Sequence, residues 1–391
     1  MSSANVIDLL NSNSYKVAIV GSGQLARMMA LAGISMGYNF AFLCTEQDDT
    51  SAVQGLGHLV QTDYAKLSAN EIYLLLGKPN VITVEKEDLD VELLRALNEL
   101  CPVYPNPDAV EISQNRRSEK KFIESLGFDV APWAATDHVE SLMNAGIKLG
   151  WPLIIKRCST GYDGKGQWRV KNLQEACEVL EQANPKDTFI AEQMIDFDKE
   201  VSIVSARDQH GNIMHYSLTE NVHKDGILHY SFAPAKDVSD EVIEQAKKIA
   251  SAALEKLDYV GVLTIEFFLK DNQLLINEFA PRVHNSGHWT QIGCNSSQFH
   301  KHIRAISGQA IAQAPNKGYS AMVNLLGKTP LDKHLLDDEL QIHWYNKSVK
   351  PGRKVGHINI NDMDAAKVEA KLHQTLLDIN NPQSSLSQTG S

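Results

Sequence analysis

The chain has 391 residues, 43% of them hydrophobic, with 48 acidic against 37 basic side chains and a formal net charge of -11 at pH 7. That length gives two or three domains with ample core, and the acidic balance excludes sequence-independent nucleic-acid binding, which needs a basic surface. The five scattered cysteines contain no C-x-x-C pair and point to neither a disulfide framework nor a zinc site, and with no membrane-length apolar run or signal-peptide pattern the chain reads as cytoplasmic, with no membrane partner.

Residues 1–14 are polar, rich in Asn and Ser, and read as a flexible N-terminus. Lys16–Val20 is a short apolar strand, followed by Gly21-Ser22-Gly23-Gln24 and a helical pattern to about Met36. Phe40–Cys44, Val81–Val84 and Val103–Tyr104 are further strands, and their alternation with helices implies a parallel sheet. This Rossmann-like unit covers 15–113. Gly21-x-Gly23-x-x-Ala26 fits the dinucleotide fingerprint, with Glu46 near the ribose-binding position. Alone it suggests a nicotinamide-dependent dehydrogenase. Glycine turns at helix N-termini hold many kinds of phosphate, however, and nothing downstream resembles a hydride-transfer site.

A charged amphipathic helix, Asn115–Leu126, opens the second region, 114–312, where the pattern becomes α+β. Strand Leu153–Arg157, a glycine-rich turn, strand Gln167–Val170, a helix to about Gln182 and strands near Phe189 and Val201 follow, and 152–225 reads as a lid. The turn Ser159-Thr160-Gly161-Tyr162-Asp163-Gly164-Lys165-Gly166-Gln167 lies between two strands, so it is not a Walker loop. Glycines let backbone N–H groups approach an anion closely, and Lys156 and Lys165 supply charge, which favours phosphate binding over a plain hairpin tip. Glu192-Gln193-Met194-Ile195, leading to Glu200, can offer backbone groups to an adenine edge and a carboxylate to a ribose. On spacing alone an ordinary solvated loop is the better account of that stretch, and His223 is ambiguous by itself.

Asp240–Leu257 is an amphipathic helix. After it, Val262–Phe268 and Leu274–Glu278 are apolar runs joined by Lys270-Asp271-Asn272-Gln273, a hairpin pattern. A loop centred on Asn272 sets Glu266 directly across from Glu278, with Cβ atoms about 4.5–5.5 Å apart, where like charges repel. Two such carboxylates suit Mg²⁺ bridging to phosphates; a register off by one residue would separate them. The run Asn277-Glu278-Phe279-Ala280-Pro281-Arg282-Val283-His284-Asn285-Ser286-Gly287-His288-Trp289 then packs acids, an arginine and histidines at a density with little structural use. Ser297–Ile306 reads as a helix, Ala321–Leu326 and Gln341–Tyr345 as strands, within a C-terminal domain at 313–377. There Lys347, Lys350, Arg353 and Lys354 surround Pro351-Gly352, with Gly356 and His357 following. A bound phosphate or carboxylate explains this basic loop, and so does a solvated positive face. Residues 378–391 are Asn/Ser/Gln-rich and read as a disordered tail.

From about Lys16 to Ile360 these segments resemble the ATP-grasp enzymes, and among them the 5-(carboxyamino)imidazole ribonucleotide synthase family of purine biosynthesis. The most specific matches are Gly161–Gln167, Asn277–Trp289 and Pro351-Gly352-Arg353-Lys354-Val355-Gly356-His357. The resemblance implies an α/β and α+β ATP-grasp fold with an N-terminal Rossmann-like (pre-ATP-grasp) parallel-sheet domain and a small C-terminal domain. It implies that Arg116 and Lys156 contact ATP phosphates under the loop Gly161, Tyr162, Asp163, Gly164, Lys165, Gly166 and Gln167. Glu192, Gln193, Met194 and Ile195 would form the adenine hinge, with Glu200 on the ribose, His223 near the nucleotide, and Asn277 beside the Mg²⁺ ligands Glu266 and Glu278. Arg282, His284 and Lys156 would be catalytic, with Arg282 and His284 holding bicarbonate or the carboxyphosphate made from it. Lys347 and Arg353 would grip the phosphate of aminoimidazole ribonucleotide, with Gly23, Gln24, Leu25, Asn285 and Ser286 completing that site. The partners implied are ATP, bicarbonate, the ribonucleotide and a second copy in a homodimer. A formate-using glycinamide ribonucleotide ligase and a nucleotide-binding protein without catalysis are the alternatives.

Overall fold

In the computed structural model, which describes residues 15–159, 166–184 and 186–381, the chain builds three sheets. Gly161, Tyr162, Asp163, Gly164 and Lys165 lie outside the described residues. The first sheet contains β1 (Lys16–Val20), β2 (Asn39–Cys44), β3 (His58–Gln61), β4 (Val81–Val84) and β5 (Val103–Tyr104), all parallel in the order β3-β2-β1-β4-β5. Its strands are near-continuous apolar runs because helices cover both faces; Val17, Ala18, Ile19 and Ile82 are fully buried. β2 and β3 lie on one side of β1, β4 and β5 on the other. The carboxyl ends of β1 and β4 therefore flank the switch point at which open α/β sheets hold ligands. The segments leaving that point are Gly21–Gln24 and Glu85–Glu87.

The second sheet is small: β6 (Trp133–Ala135), β7 (Leu153–Arg157), β8 (Gln167–Val170) and β9 (Phe189–Gln193), in the order β6-β9-β7-β8. Helices Val139–Leu149 and Leu173–Glu181 close it over a core that includes Leu142, Leu153, Ile155 and Phe189. The sequence reading places a lid at 152–225, but the separate unit begins with β6 and ends with β9.

The strands that follow enter a nine-stranded sheet: β10 (Lys199–Arg207), β11 (Ile213–His215), β12 (Thr219–Lys224), β13 (Ile227–Ala233), β14 (Gly261–Lys270), β15 (Gln273–Ala280), β16 (Tyr319–Leu326), β17 (Leu340–Trp344) and β18 (Lys354–Asp362). The order is β15-β14-β10-β12-β13-β16-β18-β17, with β11 paired to β10. The C-terminal strands thus join the same sheet as the central ones, through the antiparallel ladder of β13 and β16. Helix Asp240–Lys256 starts at the Ser239 cap and buries Val242, Ala246, Ile249, Ala250, Ala253 and Leu254 at the spacing of one helical face. The last helix, Ala365–Asn380, runs past the point where the sequence reading begins a disordered tail: Asp378 and Ile379 are buried, and Lys333 pairs with Asp378 at 2.6 Å. Those contacts override the polar composition of the first residues after Leu377. Among the described residues no helix is long and apolar enough to cross a membrane, and all five cysteines are free.

The β14–β15 hairpin turns through Asp271 and Asn272, both at positive φ (48° and 59°), the two-residue turn that matches strand twist. Lys270 pairs with Gln273, Leu269 with Leu274 and Phe267 with Ile276; the register then slips by one, so that Glu266 faces Glu278. The opposition expected from the sequence is present, yet a β-bulge at Asn277 produces it, not the turn. Such a bulge re-aims a side chain beside a site.

Candidate active site

Glu266 and Glu278 project from adjacent strands with side chains 13% and 39% exposed. Arg116, at the start of helix Arg116–Ser125, donates to Glu278 Oε2 at 2.9 Å. Burial alone would raise the Glu278 carboxyl, but Arg116 and Lys156 outweigh it and hold the group well below the usual carboxylate range. Glu266 has no comparable cation: burial and the charge of Glu278 push it up to about 7. A hard divalent cation between the two would relieve that repulsion. Among the described residues no cluster of three or more His, Cys, Asp or Glu could hold a metal. Phosphate and water oxygens are the usual further ligands of Mg²⁺.

Beneath the carboxylates lies a buried charge cluster. Glu192 forms ion pairs with Lys120 at 2.9 Å and with Lys156 at 2.5 Å, the three side chains being 2%, 1% and 7% exposed respectively. Burial would raise the Glu192 carboxyl, but the two ammonium groups hold it at about 2. Lys120 also donates to Asn277 O at 2.8 Å, and Lys156 to Asn277 Oδ1 at 3.4 Å. The bulge thus faces the lysines, while Glu119 accepts from the backbone N–H of Phe279, two residues on, at 2.6 Å. The Glu192 carboxylate is spent on these lysines. Any hinge role for Glu192–Ile195 would fall to the backbone, with Gln193 exposed and Met194 and Ile195 half-buried. Gly166 takes a positive φ of 73° and accepts from Arg157 N at 2.8 Å, closing the β7–β8 turn beside Gln167. Glu200 is bound to His223 Nδ1 at 2.6 Å. Burial alone would lower this imidazole, but Glu200 and Glu266 raise it.

On the other side of the carboxylates, Arg282 is clamped by Glu87 through Nε–Oε2 at 2.6 Å and Nη2–Oε1 at 3.1 Å. A bidentate carboxylate fixes the plane of the guanidinium. His284 Nε2 lies 3.6 Å from Glu266 Oε1, and burial together with Arg282 pushes its imidazole down to about 3, so the ring is neutral. The Asn285 amide is buried with neither Nδ2 nor Oδ1 hydrogen-bonded. Ser286 is fully buried and bonded to Ser202 at 2.9 Å, so the direct substrate contact implied for it is not available: the 3₁₀ turn Asn285–Gly287 rotates it into the sheet.

The basic loop between β17 and β18 reaches the switch point of the first sheet. Lys347 Nζ donates to Gln24 Oε1 at 2.5 Å, Arg353 pairs with Asp49 and donates to Ser348 Oγ at 2.6 Å, and Asn346 donates to Ser51 O at 3.1 Å. The turn Gly23–Leu25 differs from expectation. Its N–H groups donate to Glu85, Gly23 at 2.5 Å and Leu25 at 3.1 Å, so a carboxylate of the protein occupies the place of a phosphate. A Cβ on Gly23 would stand 2.3 Å from Glu85 Oε1, so the carboxylate would have to move off the turn. What faces Lys347 from the turn is the Gln24 side chain.

Sequence reasoning misses Lys120, Glu119, Glu85 and Glu87. Two signals were present: Lys120 lies one helical turn after Arg116, and Glu85-x-Glu87 leaves a parallel strand at its carboxyl end.

Family comparisons follow this layout. The ATP-grasp domain matches residues 121–299, the ribonucleotide synthetase preATP-grasp domain 14–114, and the phosphoribosylaminoimidazole carboxylase C-terminal domain 320–371. The N5-carboxyaminoimidazole ribonucleotide synthase of Brucella melitensis is 42% identical over 350 residues, covering 88% of this chain and 95% of the relative. The chain belongs to the N5-carboxyaminoimidazole ribonucleotide synthase family. The Escherichia coli synthase of that name is 36% identical over 361 residues, 91% of this chain and 93% of the relative. Among solved structures, the Thermus thermophilus N5-carboxyaminoimidazole ribonucleotide synthetase superposes with a TM-score of 0.86 at 38% identity, covering 93% of this chain and 98% of that one. The Aspergillus clavatus synthase, solved with ADP and 5-aminoimidazole ribonucleotide, gives 0.84 at 27% identity over 94% and 99%. The synthase family therefore accounts for all three parts of the chain: the parallel sheet, the ATP-grasp body and the C-terminal strands.

Proposed function

We propose that the chain carboxylates 5-aminoimidazole ribonucleotide with bicarbonate at the expense of ATP, giving 5-(carboxyamino)imidazole ribonucleotide, ADP and phosphate, a ligase step of de novo purine biosynthesis. One observation carries the reading of the site: a single segment sets Glu278 against Arg116, and a few residues later sets Arg282 on Glu87 and His284 beside Glu266.

A bicarbonate oxygen attacks the γ-phosphorus of ATP, the bond to the bridging oxygen breaks, and carboxyphosphate and ADP result. The exocyclic amine then takes the carboxyl carbon, directly or as released carbon dioxide; phosphate leaves and the amine loses a proton. The protein's work is to position groups and neutralise charge. Arg116 and Lys156 bind the ATP phosphates, with Glu192 holding Lys156 in place, and the loop Gly161–Gln167 covers them. The backbone of Glu192–Ile195 takes the adenine, Glu200 the ribose, with His223 fixed beside it, and Asn277 flanks the metal ligands. Mg²⁺ held by Glu266 and Glu278 would neutralise phosphate charge when bound. Arg282, planar on Glu87, and His284 hold the small carboxylate. Lys347 and Arg353 take the ribonucleotide phosphate, Gln24 orients Lys347, and the turn Gly23–Leu25 acts through the Glu85 it holds; Asn285 offers its unpaired amide. Free cysteines suit a reducing, cytoplasmic setting, and a homodimer is carried over by resemblance, to be checked by sedimentation.

The test is ADP release with 5-aminoimidazole ribonucleotide, with and without bicarbonate. ADP formation that ignores both, or that requires formate and glycinamide ribonucleotide, would refute the proposal.

A further inference from the structure

A line of buried side chains crosses three neighbouring strands and ends on His284. Ser231 of β13, Asn221 of β12 and Ser202 of β10 are 0%, 4% and 0% exposed. The Ser231 hydroxyl donates to Asn221 Oδ1 at 2.8 Å, Asn221 Nδ2 donates to Ser202 Oγ at 2.9 Å, and the Ser202 hydroxyl donates to Ser286 Oγ at 2.9 Å. Ser286 Oγ lies 2.9 Å from His284 Nδ1. Each hydroxyl has one proton to give. With its oxygen accepting from Ser202, Ser286 directs its proton at Nδ1. The backbone N–H of Ser286 points at the same nitrogen at 3.4 Å, and an amide N–H can only donate. Two donors of independent origin therefore make Nδ1 an acceptor and leave the ring proton on Nε2, the nitrogen on the Glu266 side. The main chain of this residue is equally fixed: Gln298 accepts from His284 N at 2.9 Å and donates to His284 O at 2.6 Å. A Cβ on Gly287 would strike the Gln298 amide at 2.7 Å.

We propose that Ser231, Asn221, Ser202 and Ser286 form a tautomer selector that holds His284 in the Nε2–H form, so that the ring offers a donor, never a lone pair, to the small carboxylate bound beside Arg282. The substrate half of this inference rests on the function proposed above. The opposite tautomer would aim a lone pair at an anion and replace attraction with repulsion. His284 in this state is no base toward the cleft; it works with Arg282 as a second donor. Asn221, Ser202 and Ser286 are positioning residues, acting only through the ring.

Asn221→Asp tests the idea with almost no change of shape. An ionised aspartate has no donor, so Ser202 must turn its proton back toward position 221, Ser286 donates to Ser202, and Nδ1 meets a lone pair. Nitrogen–proton correlation spectra of protein labelled with ¹⁵N-histidine read the tautomer directly, with His284→Gln identifying its signal among the 14 histidines. The wild type should show a bare Nδ1 and a protonated Nε2, and Asn221→Asp should populate the Nδ1–H form alongside it, since the Ser286 N–H still faces that nitrogen. The KM for bicarbonate should rise about ten- to a hundredfold, the weight of one hydrogen bond to a charged group, with the KM for ATP within about twofold. Ser286→Ala, which adds no buried charge, should mix the two tautomers and raise the same KM. A wild-type proton on Nδ1, or variants that leave both tautomer and bicarbonate KM unchanged, would overturn the selector. An Nε2–H ring in an enzyme whose ADP release ignores bicarbonate would instead refute the substrate reading and leave the selector standing.

Discussion

Glu192→Gln preserves the outline of the side chain and removes the one carboxylate paired directly with both Lys120 and Lys156. In the wild type Lys120 and Lys156 approach Glu192 at 2.9 and 2.5 Å, all three nearly inaccessible to water. Without the carboxylate, two ammonium groups face each other with the oxygens of Asn277 as their acceptors. Stripping one partner from a buried ion pair costs about 3–5 kcal/mol, because the remaining charge is left uncompensated. Two orphaned charges place the loss at or above about 4 kcal/mol, a large share of the about 5–15 kcal/mol that holds a protein folded. Adding Lys120→Met removes one orphan, and the double variant should regain about 1.5 kcal/mol or more relative to additivity. Urea unfolding followed by tryptophan fluorescence reads this as a shift of midpoint at constant slope. The Glu192 carboxyl titrates at about 2 in the fold against an ordinary value of 4.5. Its contribution is therefore complete above pH 4.5 and lost as pH falls toward about 2, and the wild-type and Glu192→Gln curves should converge over that window. A gap below about 1 kcal/mol at pH 7, accompanied by a raised KM for ATP, would refute the argument: the carboxylate would then serve the nucleotide instead of the lysines.

Glu278→Gln should lower kcat by about 10²–10³, as losing one preorganised electrostatic element does, while circular dichroism shows the fold intact; near-normal turnover at limiting Mg²⁺ would sink the metal assignment. Glu266, pushed up to about 7 by burial and Glu278, keeps a proton from pH 4.5 to about 7 that an ordinary glutamate would lose. Mg²⁺ must displace that proton, so its affinity should weaken as pH falls below about 7, and calorimetry in two buffers at pH 6 should record proton release; zero release contradicts the pairing. Gly23→Ala, whose methyl would meet Glu85 at 2.3 Å, should raise the KM for the ribonucleotide about tenfold or more without altering that for ATP. Equal constants for both substrates would remove the turn from the acceptor site.

The elements with the strongest periodicity were legible in the sequence: β1, β4, helix Asp240–Lys256 and the β14–β15 hairpin all fall where apolar spacing puts them. β12 and β13 were not, because Glu220, Asn221, His223 and Lys224 interrupt any apolar alternation. Those polar side chains are there for the site, where Asn221 and His223 meet Ser202 and Glu200. The facing of Glu266 and Glu278 was anticipated, although the bulge that secures it was not, since a slip of one residue leaves no trace in composition. Arg282, His284 and Lys347 were named from their neighbours in the chain. The pairings of Arg282 with Glu87 and of Lys347 with Gln24 depend on tertiary closure between segments far apart. The Gly23–Leu25 turn shows the limit of motif reading: the pattern signals an anion at a helix start, and here the anion is Glu85 of the same protein.

The shared nine-stranded sheet has a mechanical consequence. The loop carrying Lys347 and Arg353 hangs from β18, and unbroken ladders run from β18 through β16, β13, β12 and β10 to the strand bearing Glu266. The small sheet β6–β9 shares no strand with it among the described residues. The Lys347–Arg353 loop and the carboxylate pair therefore belong to one continuous floor, with β6–β9 as a separate piece. On the function proposed above, the groups assigned to the amine acceptor and to the metal would keep a fixed separation set by those ladders, whatever the position of the small sheet.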